Sequence, residues 1–311
     1  MHAAHTQRIL QGFGCFLLIL GGCIGLLGLA EFYCFPLFSA GGRFHYAGFG
    51  FGSFMFGNIV SQIIAYSLIA AIFIPLGLGH MQLKSWIVPL SKVLLWSWLV
   101  VGGPVALLIA FILLASKSLT IFLTAAALLF LALSYLLFPF LFLRFYNKPQ
   151  VMQILKTHDP RAYWISNRPI PLLVMAALDL FYIIVLQILV LFNGIFPLFG
   201  NFLSGVPGIL ALEASTFIFA FFARATLKRK FWSWWGSVLW LGIFTLSLIA
   251  TFALNTYSDL LSVLAFPPTE VDILKNIPLQ GYHLAVLAGI PLVVTLLLAI
   301  RSQHHLVADV D

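Results

Sequence analysis

Two carboxylic acids lie deep inside apolar stretches of this 311-residue chain. Asp179 falls nine residues after the start of the run 170–192, and Glu213 eight residues after the start of 205–225. An ionisable side chain at that depth in hydrocarbon is costly, and by default it marks a proton relay, an ion path or a contact with a partner. Arg224 stands eleven residues beyond Glu213, roughly 16 Å along a helix at 1.5 Å per residue, too far to pair directly. Lys92 lies near the end of its own run, where its long stem lets the ammonium reach water. With no cation at their depth, one or both acids are expected to be neutral, protonated carboxyls.

The neighbours of the acids sharpen the expectation. Asp179, Tyr182 and Gln187 fall on one face of a helix, Glu213 and Thr216 on one face of the next, and Asn58, Ser61 and Gln62 share a face on an earlier one, with Tyr66 one turn further. Polar groups on spanning helices avoid lipid. The three faces are therefore expected to converge on one interior site, with Asp179 and Glu213 exchanging protons and Asn58, Gln62, Tyr182 and Gln187 lining the path. The plainer alternative is that these groups only hydrogen-bond helices to one another.

Other reactive side chains point to less. His2, His5, His304 and His305 are terminal, and His80 is expected in a loop on the cytoplasmic side. Glu31, Tyr33, His45 and His283 fall near the opposite face, a set from which a metal or acid–base site is sometimes built, but no spacing forces them together. Cys15, Cys23 and Cys34 show no CxxC or Cys/His pattern. No metal and no cofactor are expected. The last apolar run carries no lysine for a retinal Schiff base, no P-loop occurs, and the only Ser-Gly step, Ser204-Gly205, lacks a base beside it. These absences leave catalysis as the weakest functional class.

The elements that must position these residues follow from composition. Hydrophobic residues make up 62% of the chain and charged residues 8%, against about a quarter charged in a soluble domain. So little polar surface cannot coat a water-soluble particle, and this excludes a cytosolic enzyme, a disulfide scaffold and a nucleic-acid-binding module. Stretches long enough to span a bilayer occur at 9–30, 53–78, 88–115, 119–143, 170–192, 205–225, 232–254 and 283–300. The first is too long for the apolar region of a signal peptide and is expected to be retained as a helix. Gly21, Gly25 and Gly28 give it a small-residue packing face. The glycines and prolines of segment 192–209 break helix, and it is expected to be a hydrophobic loop lying in the interface or tucked between helices.

Orientation follows from the basic residues. With the N-terminus cytoplasmic, only Arg43, Lys117 and Lys275 of the sixteen lysines and arginines fall on the outer side, as the positive-inside rule requires. An even helix count then puts both termini in the cytoplasm. Trp96, Trp98, Trp164 and the Trp232/Trp234/Trp235 cluster beside Lys228-Arg229-Lys230 are expected to be interfacial anchors. Two short helices are expected outside the spans. A cytoplasmic interfacial helix covers 149–157, started by Pro149 and ended at Asp159-Pro160. An outer amphipathic cap covers 258–278, with Thr269 and Asp272 as a capping box.

Together these features predict an all-α, polytopic integral membrane protein. It is a single transmembrane domain over 1–311, a bundle of about eight helices in a bacterial-type inner membrane. Its immediate partner is the lipid bilayer, and nucleic acid is excluded. Two functional classes fit: a proton- or cation-linked transporter of a small solute, and a non-enzymatic accessory or assembly subunit of a larger membrane complex or homo-oligomer, lipid binding included.

Overall fold

The computed structural model describes residues 2–39, 42–44, 46, 48–116 and 119–303. Lys117, His45, His304 and His305 lie outside the described residues. The chain is helical nearly throughout, and eight of its helical stretches are long and apolar enough to cross a membrane. It is a multi-pass, all-α integral membrane protein.

The spanning elements are α1 (His2–Cys34), α2 (Phe54–Met81), α3 (Ile87–Ser116), the paired α4 (Ile121–Ala132) and α5 (Phe138–Tyr146), α7 (Ile170–Leu191), α8 (Gly205–Leu227), α9 (Phe231–Leu254) and α12 (Gly281–Arg301). Between α4 and α5 the residues Leu133–Leu137 form a π-helical stretch. Pro139, which offers no N–H to the carbonyl four residues back, explains why the regular ladder is interrupted there. The short helices are α6 (Pro149–His158), α10 (Tyr257–Leu264) and α11 (Pro268–Leu274).

The capping box lies elsewhere than the sequence suggested. Thr256 accepts from the Asp259 backbone N–H, and the Asp259 carboxylate accepts from the Thr256 N–H at 2.8 Å, so the motif opens α10. Pro267 occupies the N-cap position of α11. Thr269 is therefore already inside that helix, where it cannot cap.

The chain divides into two compact units, Met1–Val93 with Phe142–Arg168, and Leu94–Leu141 with Pro169–Asp311. In the first, α1 lies along α2 through the expected small-residue face. Built Cβ atoms on Gly21, Gly25 and Gly28 would meet Ile74, Ala70 and Tyr66 of α2. The approach is closest at Gly14 and Gly77, where a Cβ on either would fall 2.8 Å from the other's carbonyl oxygen.

In the second unit, α7 packs on α8 and α9 on α12. The 192–209 segment, read from its composition as a hydrophobic loop, contains a short hairpin held against α9. Phe196–Leu198 (β1) and Asn201–Leu203 (β2) form an antiparallel hairpin with Phe196 opposite Leu203 and Leu198 opposite Asn201. Its two turn residues, Phe199 and Gly200, both have positive φ, as a type I′ turn requires. Non-helical backbone beside lipid needs internal partners, and one face of α9 supplies them. Ser247 Oγ donates to Pro197 O and accepts from Phe199 N, Thr251 Oγ1 accepts from Gly200 N at 3.0 Å, and Asn255 donates to Gly200 O at 2.8 Å.

Of the tryptophan cluster, Trp232 and Trp235 are exposed as expected of anchors, but Trp234 is buried, with its indole N–H donating to Ala299 O at 2.8 Å. Trp234 is two residues from Trp232 and one from Trp235, spacings that do not share a helix face, so it turns inward where the other two, three residues apart, face out.

Candidate functional site

Asp179 sits in the middle of α7 with 3% of its surface exposed. No group among the described residues hydrogen-bonds to it. One turn further along the same face, the Tyr182 hydroxyl lies 2.6 Å from Thr295 Oγ1 on α12. Thr295 already donates to the Pro291 carbonyl at 2.8 Å, so the tyrosine is the donor between them. The Tyr182 ring packs on Phe219 of α8, which in turn meets Trp240 and Phe244 of α9. On α9 the Ser237 and Thr245 hydroxyls and the Trp240 indole N–H are buried without a hydrogen-bond partner among the described residues. Buried polar atoms of this kind are normally satisfied. The core of the second unit thus holds an enclosed carboxyl, a hydroxyl pair and several spare donors and acceptors.

The second acid behaves differently. Gln187 Nε2 donates to Glu213 Oε2 at 3.3 Å and to Thr216 Oγ1 at 3.1 Å, which joins α7 to α8. Gln187 is exposed, and Glu213 and Thr216 are only half-buried. This trio is on the outer surface of the helix pair. Since α7 and α8 run antiparallel, and Gln187 stands eight residues beyond Asp179, the trio lies about 12 Å along the bundle from Asp179. Asn58 and Gln62 lie one turn apart on α2 in the first unit, both half-buried, while Ser61 spends its hydroxyl on the Gly57 carbonyl of its own helix. Of the six residues singled out, then, Gln187 and Glu213 are in direct contact, and Asp179 and Tyr182 share one face of α7.

His283 is engaged locally. It accepts the Gln280 N–H on Nδ1 at 3.0 Å, and its ring packs on Phe111 and Tyr282. Among the described residues, no group of three or more His, Cys, Asp or Glu side chains is arranged to hold a metal ion.

Two polar constellations in the first unit have no counterpart in the sequence reading. His80 belongs to the last turn of α2 rather than to a loop, and it is 0% exposed. Its Nδ1 lies 2.7 Å from the Leu76 carbonyl and its Nε2 2.6 Å from the Tyr146 hydroxyl. A carbonyl only accepts, so Nδ1 carries the proton and Tyr146 donates to Nε2 of a neutral ring. Gly14, on which a Cβ would meet the His80 Cβ at 2.8 Å, and Gly77, which faces it, let α1 approach α2 beside His80, and they are a sequence signal that could have marked the place. The second constellation is at Asp159, 5% exposed, whose carboxylate accepts from the Ser85 N–H and the Tyr163 hydroxyl while Ser85 Oγ donates to Arg161 O. Desolvation alone would raise the Asp159 pKa, but these hydrogen bonds and the nearby Lys84 charge outweigh it and hold the carboxyl below its ordinary range.

No protein-family model, curated protein or solved structure matches this chain.

Proposed function

We propose that this multi-pass membrane protein is a proton- or cation-linked transporter of a small solute, with Asp179 as the group that takes up and releases the proton. The observation that carries this reading is the enclosed Asp179 carboxyl, which has no hydrogen-bond partner among the described residues. A group so placed stabilises the fold poorly, since a buried unpaired acid costs free energy that an apolar side chain would not, and a proton-exchanging task gives it a reason to be there. Tyr182 and Thr295 supply hydroxyls one turn away, and Trp240, Ser237 and Thr245 supply unspent hydrogen-bonding capacity in the same unit for water or a polar solute. The orientation that goes with this reading has both termini in the cytoplasm and a bacterial-type inner membrane around the bundle, on the strength of the positive-inside asymmetry.

The test is proton flux in liposomes under an imposed pH gradient. Wild type should acidify or alkalinise the lumen, Asp179→Asn should remove the flux, and Asp179→Glu should retain part of it. Absence of flux in wild type, or equal flux in Asp179→Asn, ends this reading.

A second reading is favoured by a different observation. The Gln187–Glu213–Thr216 trio faces outward at membrane depth, where lipid offers it nothing. That is the surface of an accessory or assembly subunit, covered by protein in its working state. Purification in a mild detergent should then yield the protein as part of a stoichiometric assembly, and a monomer would rule it out.

A further inference from the structure

Exposed cations from three elements meet at one end of the second unit. Arg224 stands in the last turn of α8, Lys228 and Lys230 in the link between α8 and α9, and Arg301 in the last turn of α12. The link is tight. Arg229 has a positive φ, and the backbone closes back on α8 as Arg229 N donates to Thr226 O and Lys230 N to Ala225 O. The end of α12 lies at the same level, because the Trp234 indole N–H, one turn beyond Lys230, donates to Ala299 O, two residues before Arg301. The described acids of this unit are elsewhere: Asp179 and Glu213 within their spans, and Asp259, Glu270 and Asp272 in the segment between α9 and α12 at the opposite end. Arg224, Lys228, Lys230 and Arg301 have no carboxylate partner among the described residues.

An aromatic edge borders these cations. Phe221, Trp232 and Trp235 are exposed, and the Phe221 ring lies 5.3 Å from that of Trp232. Aromatic rings at the end of a span settle where acyl chains meet headgroups. α9 also starts here without a side-chain cap, and the N–H groups of an uncapped first turn favour a nearby anion. Setting the orientation of the chain requires only that basic residues lie near the water. It does not require cations from three elements around one aromatic edge.

We propose that this end of the second unit binds an anionic phospholipid, its phosphate held by Arg224, Lys228, Lys230 and Arg301 and its chains laid against Phe221 and Trp232. Charge complementarity selects the ligand. A zwitterionic phospholipid carries its own ammonium beside the phosphate, whereas an anionic one brings a net negative charge to a cluster that has no acid of its own. The aromatic edge selects a lipid over a soluble anion, since it gives acyl chains a surface that inorganic phosphate does not use. Asp179 takes no part, so the inference does not depend on transport.

The test is labelling of the full-length protein in phosphatidylcholine vesicles by a photoreactive phosphatidylglycerol analogue. Labelled peptides should map to residues 221–235, and a photoreactive phosphatidylcholine with the same chains should label them much less. Lys228→Gln with Lys230→Gln should cut the labelling about 25-fold, about fivefold for each charge removed. Lys228→Arg with Lys230→Arg keeps the charge and should stay within about twofold of the parent. Lys148→Gln with Lys156→Gln, an exposed pair in the first unit, is the control and should also stay within about twofold. Equal thermal midpoints in detergent establish that each variant is folded, and Lys230→Gln alone, at about fivefold, carries the test where the double glutamine variant is not. Equal labelling by the two lipids overturns the proposal. Equal loss with the control pair also overturns it, because the lysines then act only through the overall field of the protein. Loss of labelling on adding inorganic phosphate assigns the cations to a soluble anion and refutes the lipid. Labelling that appears only after residues 304–311 are removed refutes it as well, since it gives the cations to Asp309 and Asp311 of the chain itself.

Discussion

The Tyr146 hydroxyl donates to Nε2 of His80 across 2.6 Å, while the opposite ring nitrogen is held by the Leu76 carbonyl of the same helix. Both nitrogens of a fully buried imidazole are thereby used, and α5 is tied to α2 inside the first unit. Tyr146→Phe keeps the ring and its contacts with Phe142 and Phe145 but leaves the Nε2 lone pair unpaired. The expected loss is about 1–3 kcal/mol, the cost of an unsatisfied buried acceptor. His80→Leu with Tyr146→Phe should recover part of it by removing both polar partners. Thermal unfolding of the parent, the single variants Tyr146→Phe and His80→Leu, and the double variant in one detergent measures the cycle, and additive losses would show that the two groups are not coupled.

Gly77 is a packing requirement rather than a flexibility point. It lies within α2, and a Cβ there would sit 2.8 Å from the Gly14 carbonyl oxygen and as close to Leu18. Backbone atoms cannot yield as a side-chain end can. Gly77→Val should therefore push α1 away from α2 and cost roughly 1–3 kcal/mol, with Gly77→Ala in the same direction but smaller. Gly22→Ala, on the same α1 with nothing near its Cβ, is the control and should be neutral or slightly stabilising in a helix. Equal thermal midpoints for Gly77→Val and Gly22→Ala would contradict this packing.

Asp159 should give the first unit an acid-sensitive joint. Its carboxyl is held below the ordinary range by Tyr163, the Ser85 N–H and Lys84 against an opposing desolvation effect. A group whose folded value is depressed contributes stability that is present above its unfolded value, about 3.9 for aspartate, and lost as pH falls through the folded value. The thermal midpoint should thus be insensitive to this group from pH 7 down to about 5 and then decline below about 4. Asp159→Asn should flatten that decline without steepening it elsewhere. A mutant that retains the parent's full acid slope would assign the slope to other carboxyls.

Much of this architecture was legible because the bilayer makes a single strong demand. Twenty or so apolar residues in a row are a helix whatever their neighbours do, so all eight spans were visible from hydropathy and the glycines of α1 announced its tight contact with α2. What was illegible depends on who meets whom in three dimensions. Nothing local tells that Ser247, Thr251 and Asn255 bind a hairpin fifty residues earlier, or that His80 reaches Tyr146. The polar faces on α7 and α8 were readable as faces, but periodicity gives an angle around a helix and not the neighbour it points to. Hence the sequence expected Gln187 and Glu213 to turn inward with Asp179, whereas Gln187 is exposed and Asp179 is enclosed.

The hairpin makes the most specific demand on α9, because its turn exposes backbone donors that lipid cannot satisfy. Thr251 is 0% exposed, donates to the Ser247 carbonyl and accepts the Gly200 N–H. Thr251→Val preserves the shape and removes the acceptor, leaving Gly200 with an unpaired N–H at an expected cost of about 1–3 kcal/mol. Thr251→Ser keeps the hydroxyl and loses only a methyl, for about 1 kcal/mol. Hydrogen exchange at the 196–203 segment separates the two effects better than the midpoint does. Valine should speed exchange of the hairpin amides selectively, because the clamp on the turn is gone while the rest of α9 stays packed, and serine should leave their protection close to the parent's. Were valine and serine to perturb the hairpin equally, packing of the methyl rather than the hydrogen bond to Gly200 would be what holds the turn against the helix.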